Sequence, residues 1–384
     1  MIYLLAYSTI MTNPLSIILE QMEIGKPEVA QGVAVLPLRL PSEAFDMQTL
    51  SQAVEQGIIE VLESESVNVL RVGYSNPAPT PILIPYLQVV TGGKQDRMVT
   101  VPIILSPATT KGETRDIPVN CVEQGRWRFS RDGGQATTAR FDVHQKVRMS
   151  PSMGFANVGA SQERTWGSIR KYRAVRSEVV PEAAVASQSF AEMEELAQKA
   201  EEERKELDSA IKKLLNRSTN LMADQSGLAL FVGNDLVGVE LYGSSNLWQG
   251  QKEGIKNSFL SELSIREIKE ATPPLEQIEG ILRTTLDKLA LERAENVELG
   301  NLFVARPDKD KDYSALLIEH EDTTVEFYYA KGQKEFLAAD IPDFTSNVPI
   351  QMQEQVQRRV SSEELELMVE VPSQAAPDED PEED

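Results

Sequence analysis

Cysteine and histidine are nearly absent from this chain of 384 residues. Cys121 is the only cysteine, so the chain can form no internal disulfide and no metal site built from several cysteines. The two histidines, His144 and His320, are far apart in sequence and have no cysteine or carboxylate at the ligand spacing of zinc motifs. The sequence therefore predicts no metal site and no bound cofactor.

Long apolar segments are absent too. No apolar run approaches the ~20 residues that a membrane-spanning helix requires. The stretch from Met1 to Met11 lacks the basic residues that open a signal peptide, and either methionine is a candidate start of translation. We expect a cytoplasmic protein that does not interact with a membrane.

Basic residues are in short supply, with 38 Lys and Arg against 60 Asp and Glu, for a net charge of −22. Nonspecific nucleic-acid binding depends on cations that neutralise phosphates, so this charge argues against a nucleic-acid partner. Residues 361–384 contain ten acidic residues and no Lys or Arg. Such a segment cannot bury enough apolar surface to offset the entropy lost on ordering, so it predicts a disordered acidic tail that solubilises the protein or docks a partner.

Strand-like and helix-like segments are mixed along the rest of the chain. Turn residues and apolar runs predict a strand-rich stretch over 82–121 and hairpins at 227–242 and 313–329. Because strands and helices do not alternate regularly, the sequence predicts an α+β fold with mixed or antiparallel sheets and packed helices.

The apolar spacing also predicts several helices. Residues 48–63, 245–263 and 275–294 carry apolar side chains at helical intervals, whereas residues 151–185 have weak periodicity and indicate a loop or short helices. Residues 190–217 predict a charged amphipathic helix, which either rests on the domain or binds a protein partner.

We predict four segments along the chain: an N-terminal segment 1–29, an α+β domain 30–270 that contains the charged helix, a helix and hairpin extension 271–345, and the acidic tail 361–384.

Two polar blocks lie immediately beside apolar strands. The first is Gly-Gly-Lys-Gln-Asp-Arg at 92–97, and the second is Ile-Pro-Val-Asn-Cys-Val-Glu-Gln-Gly-Arg-Trp at 117–127. The glycines permit a tight turn, the cations can point at one anion, and the tryptophan can stack on a planar group. The blocks predict a pocket for an anionic or planar ligand, lined by Lys94, Gln95, Arg97, Glu123, Gln124, Arg126 and Trp127.

A structural interpretation of the same blocks stays open. Arg97 or Arg126 would then pair with Glu123, Gln95 would satisfy backbone groups and Trp127 would close the core, because buried charges are usually paired for structural reasons. Cys121 is similarly a buried thiol rather than a nucleophile in this interpretation. The phosphatase loop needs five residues between its cysteine and arginine, whereas four separate Cys121 from Arg126.

In these blocks the chain resembles a prokaryotic family of unknown function, the ADP-ribosylglycohydrolase- and rhodanese-phosphatase-associated protein domain. Weaker similarities are Thr165-Trp166 and the 227–242 hairpin followed by Trp248, so the resemblance covers about residues 30–265. The chain departs from the family pattern at Asp96, where asparagine is usual, and at Tyr86-Leu87-Gln88, where an acidic-Gly turn is usual.

The resemblance implies a role linked to ADP-ribose or nucleotide metabolism, or to prokaryotic conflict systems. It leaves three functions open. The first is a ligand-binding or accessory protein with an anion pocket, in which Arg97→Ala or Arg126→Ala abolishes binding and leaves the fold intact. The second is a hydrolase of a nucleotide-derived substrate with Glu123 as general acid or base. The third is an assembly protein that binds partners through the charged helix or the tail.

Overall fold

A computed structural model describes most of the first 336 residues of the chain. The described residues are 14–41, 46–64, 66, 68–91, 93, 95–123, 142–179, 193–194, 209–268, 274–294, 298–307, 310–333 and 336. They all belong to one compact unit, Met1–Pro342. The predicted acidic tail and most of the predicted helix 190–217 lie outside the described residues.

Helices and strands alternate irregularly along the described chain. The helices are α1 (Pro14–Gln21), α2 (Leu50–Glu55), α3 (Pro151–Asn157), α4 (Gln162–Val179), α5 (Ser209–Ser218), α6 (Ser245–Gln249), α7 (Lys252–Ser264) and α8 (Leu275–Asp287). The strands are β1 (Glu23–Ile24), β2 (Glu28–Ala30), β3 (Val33–Arg39), β4 (Gln48–Thr49), β5 (Ile59–Glu63), β6 (Val69–Tyr74), β7 (Ile82–Ile84), β8 (Gln88–Thr91), β9 (Arg97–Met98), β10 (Ile103–Leu105), β11 (Thr114–Pro118), β12 (Asn120–Cys121), β13 (Asp142–Arg148), β14 (Gly227–Val232), β15 (Asp235–Tyr242), β16 (Glu292–Arg293), β17 (Asn301–Ala305), β18 (Tyr313–His320) and β19 (Thr323–Lys331).

A nine-stranded antiparallel sheet forms the centre of the fold. Its strands run in the order β1-β3-β14-β15-β19-β18-β17-β16, and β2 also pairs with β3. The predicted hairpins are confirmed as β14–β15 and β18–β19. The second hairpin closes through Glu321 and Asp322, which both adopt positive φ angles of 50° and 59°, as a two-residue turn between right-twisted strands requires.

Successive side chains of a strand point to opposite sides of the sheet, and in this sheet the two sides differ in polarity. On one face, α8 packs Ile278, Leu282 and Leu286, one turn apart, against the same apolar core as Leu15 and Ile18 of α1. The opposite face carries polar side chains at alternate positions of β15 and β19. It packs against α3, and it also meets Phe259 of α7 and Arg148 of β13. The sheet therefore has an apolar face and a face on which buried charge must be neutralised.

Three smaller sheets complete the architecture. They are β12-β9-β8-β13, β10-β7-β4 and β11-β6-β5, and only the β4–β7 pair is parallel among the described strands. The α+β class with mixed and antiparallel sheets and packed helices is therefore confirmed. The boundaries between the four predicted segments stay a prediction, and β16–β19 join the same sheet as β14 and β15.

The prediction of one helix over 48–63 was wrong. Thr49 and Gln52 form a reciprocal capping box that starts α2, but the helix ends at Glu55. Gly57 then takes a φ of 68°, and Ile59–Glu63 pairs with β6 as β5. Ile58, Ile59 and Leu62 fit a helical period by spacing, yet strand pairing determines their conformation.

Residues 151–185 contain a long helix as well as a short one. Ser150 caps α3, with Pro151 in its first turn, and α4 runs for 18 residues. Polar side chains of α4, including Gln162, Thr165 and Ser168, bond it to its neighbours. Because these polar groups attach the helix, its sequence lacks the apolar period that would have predicted it. None of the described helices is both long enough and apolar enough to span a bilayer.

Two glycines allow a matched test of how tightly the central sheet and its helices pack. A Cβ at Gly243 would overlap the backbone carbonyl of Thr324, whereas a Cβ at Gly280 of α8 would meet open space. We expect Gly243→Ala to lower the free energy of unfolding by about 1–3 kcal/mol, because β15 and β19 would have to separate. Gly280→Ala should raise it by about 0.5–1 kcal/mol through lower backbone entropy of the unfolded chain. Urea denaturation measures both, and destabilisation by Gly280→Ala would contradict the second expectation.

Candidate functional site

The two polar blocks of the sequence lie on paired strands. β9 begins at Arg97 in the first block, β12 ends at Cys121 in the second, and these two residues are register partners. β8 and β13 complete the four-stranded sheet. Antiparallel pairing therefore brings together two segments that are more than 20 residues apart in sequence.

Gln95 joins the two blocks through its side-chain amide. Its Nε2 donates to the backbone carbonyl of Glu123 at 3.0 Å, and its Oε1 accepts from the thiol of Cys121 at 3.1 Å. Arg97 Nη1 donates to the Gln95 carbonyl at 3.0 Å. The buried amide, just before β9, thus connects to Cys121 of β12 and to Glu123, two residues after β12.

Arg97 is fully buried and forms an ion pair with Glu63 of β5. The distance between Arg97 Nη2 and Glu63 Oε1 is 3.2 Å, and the two side chains are 0% and 4% exposed. Because β5 belongs to a different sheet, this pair connects the four-stranded sheet to β11-β6-β5. The guanidinium therefore lies beneath the blocks rather than at an accessible surface.

Glu123 supports the first block from the second. Its Oε2 accepts a hydrogen bond from the backbone N–H of Asp96 at 3.0 Å, while the Val122 N–H donates to the Asp96 carbonyl at 3.1 Å. Both Glu123 and Asp96 are buried. The carboxylate thus helps to fix the backbone conformation of the Gln95–Arg97 turn.

Cys121 and Asn120 attach α4 to the second block. Gln162 accepts from the Cys121 N–H and donates to the Cys121 carbonyl, both at 2.7 Å. Asn120 Nδ2 donates to the Ala160 carbonyl and to Thr165 Oγ1, at 2.8 and 2.9 Å. Burial raises the pKa of the Cys121 thiol, the opposite of what activates a nucleophilic cysteine.

The structure brings together three of the seven predicted site residues, namely Gln95, Arg97 and Glu123. The other four, Lys94, Gln124, Arg126 and Trp127, lie outside the described residues. Gln95 satisfies a backbone carbonyl, as the structural interpretation expects, whereas Arg97 pairs with Glu63 and not with the Glu123 that this interpretation named. The seven-residue ligand site stays a prediction.

Glu63, Gln162 and Asn120 were not among the predicted site residues. Asn120 lies within the second block, whereas Glu63 and Gln162 come from distant parts of the chain, and only the tertiary fold shows which groups the three contact.

A protein-family comparison covers most of this architecture. The family model described as the ARG and Rhodanese-Phosphatase-superfamily-associated Protein domain, ARPP-1, matches residues 21–329. The chain belongs to this family. The resemblance found in the two blocks is confirmed, and the match extends beyond residues 30–265 to include most of β19. Comparisons with curated proteins and with solved structures gave no match.

Helix α4 of this ARPP-1 domain carries basic residues in a strongly acidic chain. It contains five Lys or Arg and two Glu. Burial lowers the pKa of Arg173, and the nearby negative charge of Glu123 opposes that decrease. Burial also lowers the pKa of Arg164 to about 10, with Tyr86 opposing the decrease and Arg306 adding to it. Cationic side chains of α4 are thus partly removed from water beside the second block.

A second buried polar cluster connects the four-stranded sheet, which carries the two polar blocks of this ARPP-1 domain, to the nine-stranded sheet. Arg148, the last residue of β13, binds Glu240 of β15 through two contacts, Nε–Oε1 at 3.1 Å and Nη2–Oε2 at 2.8 Å. Its Nη2 also lies 3.5 Å from Oε1 of Glu326 in β19. Glu326 Oε2 accepts from the Tyr86 N–H at 3.1 Å. One guanidinium therefore serves two carboxylates, all three nearly inaccessible to water.

The cluster contains two carboxyl groups and one guanidinium. Arg148 and Glu240 form a bidentate neutral pair, whereas Glu326 makes a single, longer contact with the guanidinium. Burial, opposed by Arg148 and reinforced by Glu240, raises the pKa of Glu326 to about 8. The raised pKa favours the protonated form of Glu326, the form in which the buried charges balance.

Arg97→Ala should destabilise the protein rather than affect ligand binding alone. Removing one partner of a buried ion pair leaves Glu63 as an uncompensated buried charge, so we expect a loss of about 3–5 kcal/mol in the free energy of unfolding. Arg71→Ala is the matched control, because Arg71 pairs with Asp116 on a partly exposed face of the neighbouring sheet. That change should cost about 0–1 kcal/mol. Equal losses for the two variants in urea denaturation would show that Arg97 is not the buried anchor described here.

Glu326 predicts a pH dependence of stability. Its pKa is about 8 in the folded state and 4.5 without the fold, so the folded state binds the extra proton within that range. Stability from this group is therefore present below pH 4.5 and is lost as the pH rises to 8, at up to about 1.4 kcal/mol per pH unit. Glu326→Gln removes the titration and keeps a neutral acceptor for Tyr86. The stability of this variant relative to the wild type should increase from pH 5 to pH 8, and parallel stability curves would contradict the assignment.

Proposed function

We propose that this protein is a ligand-binding or accessory protein with a pocket for an anionic, nucleotide- or ADP-ribose-like ligand. The observation that carries the proposal is the Gln95–Glu123 hydrogen bond, which joins the two signature blocks at a buried base. In this proposal Gln95, Arg97 and Glu123 form the base of the pocket and fix the backbone of the two blocks. Lys94 and Gln124, their direct neighbours in sequence, and Arg126 and Trp127 make the ligand contacts.

The buried base supports binding because a site needs side chains whose own positions are locked. Gln95 is bonded on both ends of its amide, Arg97 is paired with Glu63, and Glu123 holds the Asp96 N–H. Preorganised supports of this kind reduce the entropy lost when a ligand binds.

Local cations support an anionic ligand. The whole chain is strongly acidic, yet Lys94, Arg97 and Arg126 occur in the two polar blocks, and α4, which bonds to Cys121 of the second block, carries five basic residues. Guanidinium groups bind phosphate oxygens with two parallel hydrogen bonds, which gives geometric selectivity as well as affinity. The family association with ARG and rhodanese-phosphatase proteins is consistent with a ligand from nucleotide or ADP-ribose metabolism.

The hydrolase alternative would use Glu123 as general acid or base. Its carboxylate is buried and accepts from the Asp96 N–H, which favours a positioning role. The assembly alternative would use the charged helix 190–217 or the acidic tail. No observation on the described residues favours either alternative over binding.

A thermal-shift screen against ADP-ribose, NAD, AMP and cyclic AMP tests the proposal. A ligand that binds only the folded state stabilises it by about 2.7 kcal/mol at 100 times its Kd, so Tm must rise. We expect at least one of these ligands to raise Tm of the wild type, and Lys94→Ala and Arg126→Ala to remove the shift. Lys26→Ala and Arg217→Ala are the controls, since both side chains are exposed on other elements.

Two results would contradict the pocket. One is the absence of a shift with every ligand, and the other is an equal shift in the wild type and in both signature variants. Chromatography of the incubated ligand separates the binder from the hydrolase. Product that forms with the wild type and not with Glu123→Gln would establish the hydrolase.

A further inference from the structure

The turn that joins β7 to β8 contains a strained residue. The Gln88 N–H donates to the Pro85 carbonyl at 3.3 Å, so Pro85–Gln88 is a β-turn with Leu87 at its third position. Leu87 has a φ of 62°, a conformation that glycine adopts readily and a bulky side chain rarely does. Contacts with the rest of the fold must therefore hold the turn in place, because its own backbone conformation is unfavourable.

Two of those contacts come from Tyr86, the residue before the strained one. Its N–H donates to Oε2 of Glu326 in β19 at 3.1 Å, and its hydroxyl donates to the Gly154 carbonyl of α3 at 2.7 Å. The Leu87 side chain is buried, and its Cδ1 lies next to Gly154. The carboxyl group of Glu326 thus attaches the backbone of the turn to the nine-stranded sheet.

Glu326 shares one guanidinium with a second carboxyl group. Arg148 makes two contacts with Glu240, of 3.1 and 2.8 Å, and one contact of 3.5 Å with Glu326. The other titratable or charged groups that the described residues place around this cluster are Tyr86 of the turn, Tyr242 of β15, Tyr328 of β19, Arg164 of α4 and Glu262 of α7. A neutral Glu326 leaves the Arg148–Glu240 pair balanced, whereas an ionised Glu326 requires water, because it has no cation of its own here.

We propose that Glu326 and the Pro85–Gln88 turn form a pH-sensitive latch, in which the neutral carboxyl group holds the turn closed and its ionisation opens the turn to water. On opening, the proton passes to the solvent and the carboxylate is hydrated. Burial, opposed by Arg148 and reinforced by Glu240, raises the pKa of Glu326 to about 8, so the latch works in weakly alkaline solution. Closure is strongest below pH 4.5, the pKa without the fold, and is lost as the pH rises through 8.

The turn is the part of this environment that opens most readily. Glu326 lies between two paired strands, with Tyr242 of β15 and Ile318 of β18 as its register partners. Separation of these strands would break a ladder of hydrogen bonds, whereas opening of the turn relieves the strain at Leu87. Ionisation strengthens the bond from the Tyr86 N–H, but a hydrogen bond to an anion offsets only part of the cost of an unpaired carboxylate away from water.

Opening of the latch reaches the sheet that carries the two polar blocks. β8 begins at Gln88, where the turn ends, and Val90 of β8 is the register partner of Arg97 in the first block. The latch therefore loosens one end of this sheet above pH 8. The inference goes beyond the proposed function and does not depend on the ligand named there.

Hydrogen exchange of the full-length protein, read by mass spectrometry, tests the latch. Fragments that cover the turn are compared at pH 7 and pH 9, after correction for the faster chemical exchange in base. Protection of the wild-type turn should fall about 10-fold, because the proton that favours closure is lost. Glu326→Gln keeps a neutral acceptor for the Tyr86 N–H and cannot ionise, so its protection should be the same at both pH values.

Glu240→Gln tests the cluster with a second variant. One carboxylate then matches one guanidinium, so Glu326 can ionise beside Arg148 and the protection of the turn should again be the same at both pH values. Glu319→Gln is the matched control. It removes a carboxyl group of β18 whose pKa is also raised by burial, and it should keep the wild-type response because Glu319 makes no described bond to the turn.

Low concentrations of urea separate local opening from global unfolding. A turn that opens alone exposes little surface, so its exchange should not depend on urea, whereas exchange in the β14–β15 hairpin should accelerate. Equal protection of the wild-type turn at the two pH values, or a fall that persists in Glu326→Gln or in Glu240→Gln, would overturn the latch. Acceleration of the turn by urea as large as that of the hairpin would overturn it too, because the cluster would then act on global stability alone.

Discussion

Arg148 is the side chain on which the position of the two polar blocks depends. It ends β13, an edge strand of the four-stranded sheet, and it binds carboxylates on β15 and β19 in the middle of the large sheet. A guanidinium in a site without water must be paired with good geometry, since the desolvation cost of an isolated charge amounts to several kcal/mol. The pair therefore permits one arrangement of the two sheets, and β9 and β12 are held in that arrangement.

Buried polar contacts also position the two polar blocks relative to each other and to a neighbouring sheet. Arg97 connects its sheet to β5 through Glu63, and Gln95 and Glu123 tie the turn before β9 to the end of β12. Hydrogen bonds and ion pairs are directional, whereas apolar contacts tolerate sliding, so polar groups specify the relative position of small sheets that have little core of their own. This explains why strongly polar residues border such apolar strands. Their first task is to hold the framework.

Local features of this fold could be predicted from sequence, and long-range features could not. The β14–β15 and β18–β19 hairpins follow from alternation and turn residues a few positions apart. Residues 48–63 were mistaken for one helix because short apolar runs fit both periods, and the pairing of β5 with β6 is a tertiary contact. At the site, the polar blocks were visible in the sequence. The partner of Arg97 was not, because Glu63 lies 34 residues away and carries no local signal.

The attachment of α4 shows how a strongly acidic chain keeps basic side chains beside the second block. Gln162 and Thr165 fix the helix by neutral hydrogen bonds, and Arg176 of the same helix forms an ion pair with Glu194. At physiological ionic strength, charges interact over a Debye length of about 8 Å, so distant acidic residues of the chain act only weakly on the basic side chains of α4. Glu123 is close enough for its charge to act on Arg173, which burial partly removes from water. The net charge of −22 therefore acts mainly on the approach of charged partners, whereas the groups close to a side chain determine its local potential.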